Sequence, residues 1–255
     1  MEKKRLDVIL WERGLATSRT HAQELIEAGQ VFIIDQGQRK ALKKSSQAFV
    51  ADTEFHVESG PANRYVSRGG LKLEGALRHL DLSVEGFNVL DVGISTGGFS
   101  DCLFKNGAQF VLGVDVGHGQ VSPSLQNHSG LKILEGVNAR NLSKNAEVLQ
   151  STPQGKFDLI VMDVSFISIE LIIPELRGFL KPSGHLLSLV KPQFEVGADG
   201  LSKGGIVKDA SLYGQVERNI KNRCQKDGFK VIDYFASSIE GKDGNHEFFI
   251  YAQAN

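Results

Sequence analysis

Two charged residues stand where strand-like apolar runs end. Val161-Met162-Asp163-Val164-Ser165-Phe166 sets a carboxylate after one run, and Leu189-Val190-Lys191-Pro192-Gln193-Phe194 sets an amine after the next. In an open α/β sheet, chemistry gathers outside the carboxyl ends of the strands, so the two residues belong to one site. Burial and a nearby cation both favour the uncharged amine, which lets Lys191 act as a general base; Asp163 opposes that shift while orienting the amine. Taken singly, Asp163 reads equally well as a helix cap and Lys191 as a surface residue. Their occurrence at successive strand ends favours chemistry.

An earlier run leads into a glycine loop, Asp91-Val92-Gly93-Ile94-Ser95-Thr96-Gly97-Gly98-Phe99-Ser100. A strand that turns through glycines into a helix lets a ligand approach bare backbone N–H groups. Asp115 ends the next run, 24 residues after Asp91, where a carboxylate can accept from ribose hydroxyls. A dinucleotide suits G-x-G-x-x-G, whereas the spacing here is G-x-x-x-G-G, and the loop starts on an acid that can face an amino or sulfonium group. S-Adenosylmethionine is the better ligand. Its candidate contacts are Asp91, Gly93, Ser95, Thr96, Gly97, Gly98, Phe99, Asp115, Asn138 and Asp163. The bland alternative, glycines serving only a tight strand–helix turn, does not account for the acids at the strand ends.

Absent motifs narrow the acceptor. The fourth run is not followed by the Asn/Asp-Pro-Pro-aromatic signature of amino-group methylation on bases. Neither Cys102 nor Cys224 lies at a strand end, as a C5-methylating nucleophile would. The two cysteines also form no CxxC pattern, which gives no disulfide framework and no thiolate metal site and suits a reducing cytosol. A lysine base fits deprotonation of a hydroxyl.

Seven runs can form the frame for these residues: Asn88–Val92, Phe110–Asp115, Leu131–Leu134, Phe157–Met162, His185–Val190, Lys230–Tyr234 and Phe248–Ala252. Helix-length segments separate the first six, which predicts a mainly parallel sheet covered on both faces. The last two are close enough to pair antiparallel. Ahead of them, Leu6, Ile9 and Leu10 form a helical stripe stopped by Gly14, and Ser18 caps a second helix with Ala22, Leu25 and Ile26 inside and Gly29 after it. Val31–Ile34, the turn-like Asp35-Gln36-Gly37 and a second extended run from Phe49 to Val57 complete a small α+β unit.

The 255 residues carry 29 Lys/Arg against 30 Asp/Glu, a net charge of −1 that excludes a broadly basic binder. A local basic surface survives that total, since residues 1–44 hold nine basic side chains against six acidic ones. The most apolar stretch, residues 157–176, is interrupted by Asp158, Asp163, Glu170 and Glu175, and no membrane span is expected. The first residues contain no apolar stretch of signal-peptide length, so a cytoplasmic location is expected.

The ordering Arg5-Leu6-Asp7, Leu10, Ser18-Arg19, Ala22, Ile26, Gly29 and Val31 resembles the S4-like RNA-binding domain. The larger part extends the resemblance through residues 64–73, Asp91 to Ser100, Asp163 to Ser168, Val190 to Gly197, and Gly244-Asn245-His246-Glu247-Phe248. Together they resemble the TlyA-type family, also called haemolysin A, which joins an S4-like domain to an FtsJ/RrmJ-like methyltransferase. That resemblance implies an α/β fold: a class I, Rossmann-like methyltransferase with a seven-stranded sheet and a small N-terminal α+β domain. It divides the chain into an RNA-binding domain (1–60), a linker (61–66) and an S-adenosylmethionine-dependent domain (67–255).

It also implies ribose 2′-O-methylation of ribosomal RNA, free or in ribosomal subunits, by a tetrad of Lys72, Asp163, Lys191 and Glu247. Lys72 and Glu247 rest on the resemblance alone. RNA contacts are implied at Lys4, Arg5, Arg19, Arg39, Lys40, Lys43 and Lys44, with Arg64 and Arg68 beyond them. The chain departs from the family pattern at Gly117-His118-Gly119-Gln120-Val121 and at Val137, both near the expected adenosine pocket. Two rival readings are an RNA-binding protein whose methyltransferase domain is inactive and, ranked lower, membrane lysis.

Overall fold

A computed structural model describes residues 3–16, 18–35, 37–50, 52–58, 60, 64–154, 156–241 and 244–255. Of the sequence expectations, Gln36 in the first turn and positions 61–63 of the linker lie outside the described residues.

The N-terminal part packs β1 (Lys3–Arg5), α1 (Leu6–Glu12), α2 (Arg19–Glu27), β2 (Val31–Asp35), β3 (Gln38–Ala41), β4 (Ala48–Val50) and β5 (His56–Val57). Leu6, Ile9 and Leu10 from α1 meet Ala22, Leu25 and Ile26 from α2 in a core closed by Val31, Leu42 and Phe55. Ser18 caps α2, its Oγ accepting from the His21 N–H at 3.0 Å, and Gly14 and Gly29 follow their helices with φ +70°. The strands form two small sheets, β1-β4 and β3-β2-β5. β1 and β3 escaped the sequence pattern because they are short and charged, and β3 is exposed throughout.

Beyond residue 64 the elements are α3 (Gly69–His79), β6 (Asn88–Val92), α4 (Gly98–Lys105), β7 (Phe110–Val114), α5 (Pro123–Gln126), β8 (Leu131–Leu134) and α6 (Ala146–Ser151). β9 (Phe157–Met162), α7 (Ile173–Leu176), β10 (Leu180–Val190), α8 (Ser211–Lys226), β11 (Phe229–Ala236) and β12 (Phe248–Ala254) complete it. All seven expected strands form one sheet in the order β11-β12-β10-β9-β6-β7-β8. β6 to β10 are mutually parallel, while β12 runs antiparallel between β10 and β11. β10 starts at Leu180 and shifts register before His185, because Lys181-Pro182-Ser183-Gly184 reads as a turn yet continues the strand. Buried apolar clusters cover both faces, as a parallel sheet requires.

The register sets the site. Asp163 follows β9 and its N–H donates to the Val92 carbonyl at 3.0 Å, which places it beside the glycine loop after β6. Val190 pairs with Phe248 across the antiparallel ladder. Lys191 and Glu247, one step beyond that pair, therefore share one edge of the sheet.

Candidate active site

Four charged side chains meet at this edge as two ion pairs. Lys191 Nζ lies 2.6 Å from Asp163 Oδ1 and donates to Ser165 Oγ at 2.9 Å. Lys72, on α3, donates to Glu247 Oε2 at 2.5 Å, and both side chains are buried. Gly241 closes over this second pair, for a Cβ there would lie 2.4 Å from Glu247 Oε1. Lys191 lines a 140 Å³ cavity and Lys72 a 160 Å³ cavity, and Gly69 at the start of α3 borders both. The two residues known only from resemblance thus stand next to the two legible in the sequence.

A cleft of 560 Å³ adjoins Asp163, within the range that holds a nucleoside-sized ligand. Gly93, Ser95, Asp115, Asn138 and Asp163 line it; Ser95, Thr96, Gly98, Phe99 and Asp163 line the smaller cavity that reaches Lys191. Asp115 is held by backbone donors, Ser95 N–H to Oδ2 and Gly117 N–H to Oδ1, both at 2.8 Å. Its remaining lone pairs face the cleft, where ribose hydroxyls would donate. Glycine is required in the loop: at Gly93, φ is +86° and a Cβ would sit 2.5 Å from the Asp163 carbonyl oxygen. At Gly98 a Cβ would crowd the Gly70 backbone nitrogen at 3.0 Å.

The sequence departures have local reasons. Gly119 has φ +65°, and its N–H donates to Glu135 Oε1 at 2.6 Å. Val137 donates its N–H to the Asp115 carbonyl at 2.8 Å and gives the cleft an apolar wall together with Val116. That wall suits a base, which needs little polar contact on its faces.

Two residues expected at the cofactor line neither cavity. Asp91 does not face the cleft: it is fully buried beneath the loop, with Oδ2 accepting from Ser100 Oγ at 2.7 Å. Burial pushes its carboxyl up to about 7, against the opposing Ser100 hydroxyl bond. Gly97 borders neither cavity; with φ +92° it packs toward Leu125 and turns the chain into α4. Phe99 touches the smaller cavity but is mostly core, stacked 6.4 Å from Phe249.

Two further residues reach the site. Ser165 touches Lys191, and Phe166 is 91% exposed at the cleft with φ +64°. Both sit in the Asp163 motif, but nothing in residue type alone signals a solvent-facing phenylalanine in left-handed backbone.

The FtsJ-like methyltransferase family model matches residues 65–254, and the S4 domain model matches residues 4–33. The chain belongs to the TlyA-type FtsJ-like methyltransferases. It is 38% identical over 249 residues to the 16S/23S rRNA (cytidine-2′-O)-methyltransferase TlyA of Mycobacterium tuberculosis, covering 98% of this chain and 89% of that one. It is equally 38% identical to Hemolysin A of Brachyspira hyodysenteriae, over 96% of this chain and 97% of that one. A solved hemolysin-named protein of Streptococcus thermophilus superposes with TM-score 0.75 at 36% identity, covering all of this chain and 90% of that one. Among the described residues, no helix is long and apolar enough to cross a membrane.

The basic residues of the S4 domain are less free than their sequence suggests. Lys4 pairs with Glu12 at 2.8 Å, Arg39 with Glu58, and Lys40 with Asp35 at 3.5 Å. Arg64 pairs with Glu74 at 2.6 Å, and Arg68 donates to the Glu240 carbonyl at 3.1 Å. Lys43 and Lys44 are exposed. Exposed ion pairs contribute little, so a phosphate can take over the basic partner at small cost.

Asp7 is different. It is buried and gathers Arg5 at 2.9 Å, Gln23 at 2.8 Å and Arg19 at 3.5 Å, aligning Arg5 with Arg19 between α1 and α2. The Arg5 hydrogen bond, opposed by burial, holds its carboxyl down at about 2. A depressed acid stabilises the fold above its unfolded value near 4 and loses that contribution as the pH falls toward 2. Asp7→Asn is expected to destabilise the S4 domain by about 2 kcal/mol at pH 7, with the gap closing in acid. Urea unfolding read by Trp11, the single tryptophan and a residue of α1, measures it; an equal gap at pH 7 and pH 2 would show another cause.

Proposed function

We propose that this chain transfers a methyl group from S-adenosylmethionine to a ribose 2′-hydroxyl of ribosomal RNA. The observation that carries this reading is the Lys191–Asp163 pair, whose carboxylate lines a nucleoside-sized cleft and whose lysine lines the smaller cavity next to it. The relatives' named activity and the S4 domain support the same acceptor. The residues present fit the cofactor: Asp115 would hold the ribose, Val116 and Val137 the base, and the loop from Gly93 to Gly98 the methionine part. When bound, it supplies an electrophilic methyl carbon on a sulfonium that leaves as a thioether.

After giving up a proton to solvent, Lys191 accepts the 2′-hydroxyl proton at Nζ as the oxygen attacks in line. Asp163 and Ser165 hold that nitrogen in place and receive the ammonium charge as it forms. Lys72 and Glu247, paired on the other side of Gly69, orient the hydroxyl and tune the charge around it.

Phe166 offers its face to a base lifted from the RNA stack, since RNA enzymes commonly bind splayed bases on aromatic rings. Phe166→Ala is expected to raise the KM for ribosomal RNA about 5- to 150-fold, the equivalent of ~1–3 kcal/mol of stacking, without lowering stability. Steady-state methyl incorporation into ribosomal subunits reads this; an unchanged KM would remove Phe166 from substrate binding. The same assay tests the function itself, which fails if the wild-type protein puts no methyl into ribosomal RNA.

A further inference from the structure

The segment after Lys191 grips the loop after Asp163 at three points. Lys191 meets Asp163 and Ser165 at one end. In the middle, the Phe194 ring lies 5.2 Å from that of Phe166. At the far end Glu195 accepts from Ser168 Oγ at 2.5 Å through Oε2 and from the Ile169 N–H at 3.0 Å through Oε1. The Ser168 hydroxyl in turn caps the next turn, accepting from the Glu170 N–H at 3.2 Å.

Glu195 lines neither the cleft nor the cavity at Lys191, so whatever it does passes through the loop. That loop needs holding. Phe166 has φ +64°, a conformation that a bulky non-glycine residue keeps only where its surroundings over-determine it. Asp163, Ser165 and Phe166 all lie on the same seven-residue path, 163–169, whose far end is anchored by Glu195.

We propose that Glu195 is a positioning residue for methyl transfer, clamping residues 163–169 so that Asp163, Ser165 and Phe166 stay registered to Lys191. Burial raises the Glu195 carboxyl while the Ser168 and Ile169 bonds lower it, and the nearby Glu170 adds to the rise. The fold thus spends desolvation on this contact. The proposal rests on the reading that Lys191 and Asp163 serve the transfer.

The test uses full-length Glu195→Ala, Glu195→Gln and Ser168→Ala, with methyl incorporation into ribosomal subunits, urea unfolding and amide exchange. Glu195→Ala is expected to lower kcat ~10- to 100-fold, the scale of a small misplacement of reacting groups, while remaining folded. Glu195→Gln keeps an acceptor for Ile169 and can donate to Ser168 Oγ, so its kcat should stay within about threefold of wild type. The Glu195→Ala/Ser168→Ala pair should be no slower than Glu195→Ala alone, as expected of partners in one contact. Exchange in Glu195→Ala should rise selectively at residues 164–169.

Wild-type kcat in Glu195→Ala, a Gln variant as slow as the Ala variant, or a rate loss that tracks the unfolded fraction would each overturn the clamp. If the wild-type protein methylates no ribose, the functional reading fails instead. Exchange at 164–169 then still decides whether Glu195 holds the loop.

Discussion

Lys191→Ala is expected to lower methyl transfer to ribosomal RNA at least ~10²-fold, the usual contribution of a positioned base, while the cleft keeps its affinity for S-adenosylmethionine. The cleft is built mainly from Gly93, Asp115, Val137 and Asn138, none of which depends on the lysine. Asp163 is 21% exposed where Glu247 is 3% exposed, so Lys191→Ala should cost less stability than breaking the deeper Lys72–Glu247 pair. Alanine alone does not separate a lost base from a lost charge. Lys191→Arg does: arginine preserves the positive partner of Asp163 but cannot give up its proton to become an acceptor. Both variants should be equally slow in single-turnover assays at saturating cofactor. An active Lys191→Arg enzyme would show that Lys191 supplies charge rather than proton acceptance.

The second large effect concerns Lys72 and Glu247. Their side chains are 11% and 3% exposed, so removing either partner strands a charge in the interior. Glu247→Ala or Lys72→Ala should each cost about 3–5 kcal/mol of stability and also abolish transfer. Replacing both, as Lys72→Met with Glu247→Leu, should recover most of the stability, since apolar residues often substitute for a buried pair without loss. Activity should not return with it. Urea midpoints beside methylation rates make the comparison. A double variant that is both stable and active would reduce the pair to packing.

Much of the site was legible because charge after an apolar run is conspicuous: Asp163 and Lys191 end β9 and β10, where the pattern placed them. The seven strands were legible for the same reason, since buried parallel strands read as nearly unbroken apolar runs. Lys72 and Glu247 were not, lying 175 residues apart on a helix face and before a strand, where either alone looks like surface charge. The burial of Asp91 was not legible, because residue type shows an acid near a loop but not that the chain folds over it. The ion pairs of the basic residues expected at RNA were illegible for a related reason. Pairings such as Arg39 with Glu58 join positions that no local pattern connects.

The most direct test of the account follows the chemistry of the product. Purified protein is incubated with S-adenosylmethionine carrying a labelled methyl group and with ribosomal subunits, and the RNA is then hydrolysed in alkali. A ribose 2′-O-methyl group removes the hydroxyl that attacks the neighbouring phosphodiester, so the label should emerge in alkali-stable dinucleotides. Label recovered in mononucleotides would place the methyl on a base and contradict the assignment of Lys191 to a ribose hydroxyl.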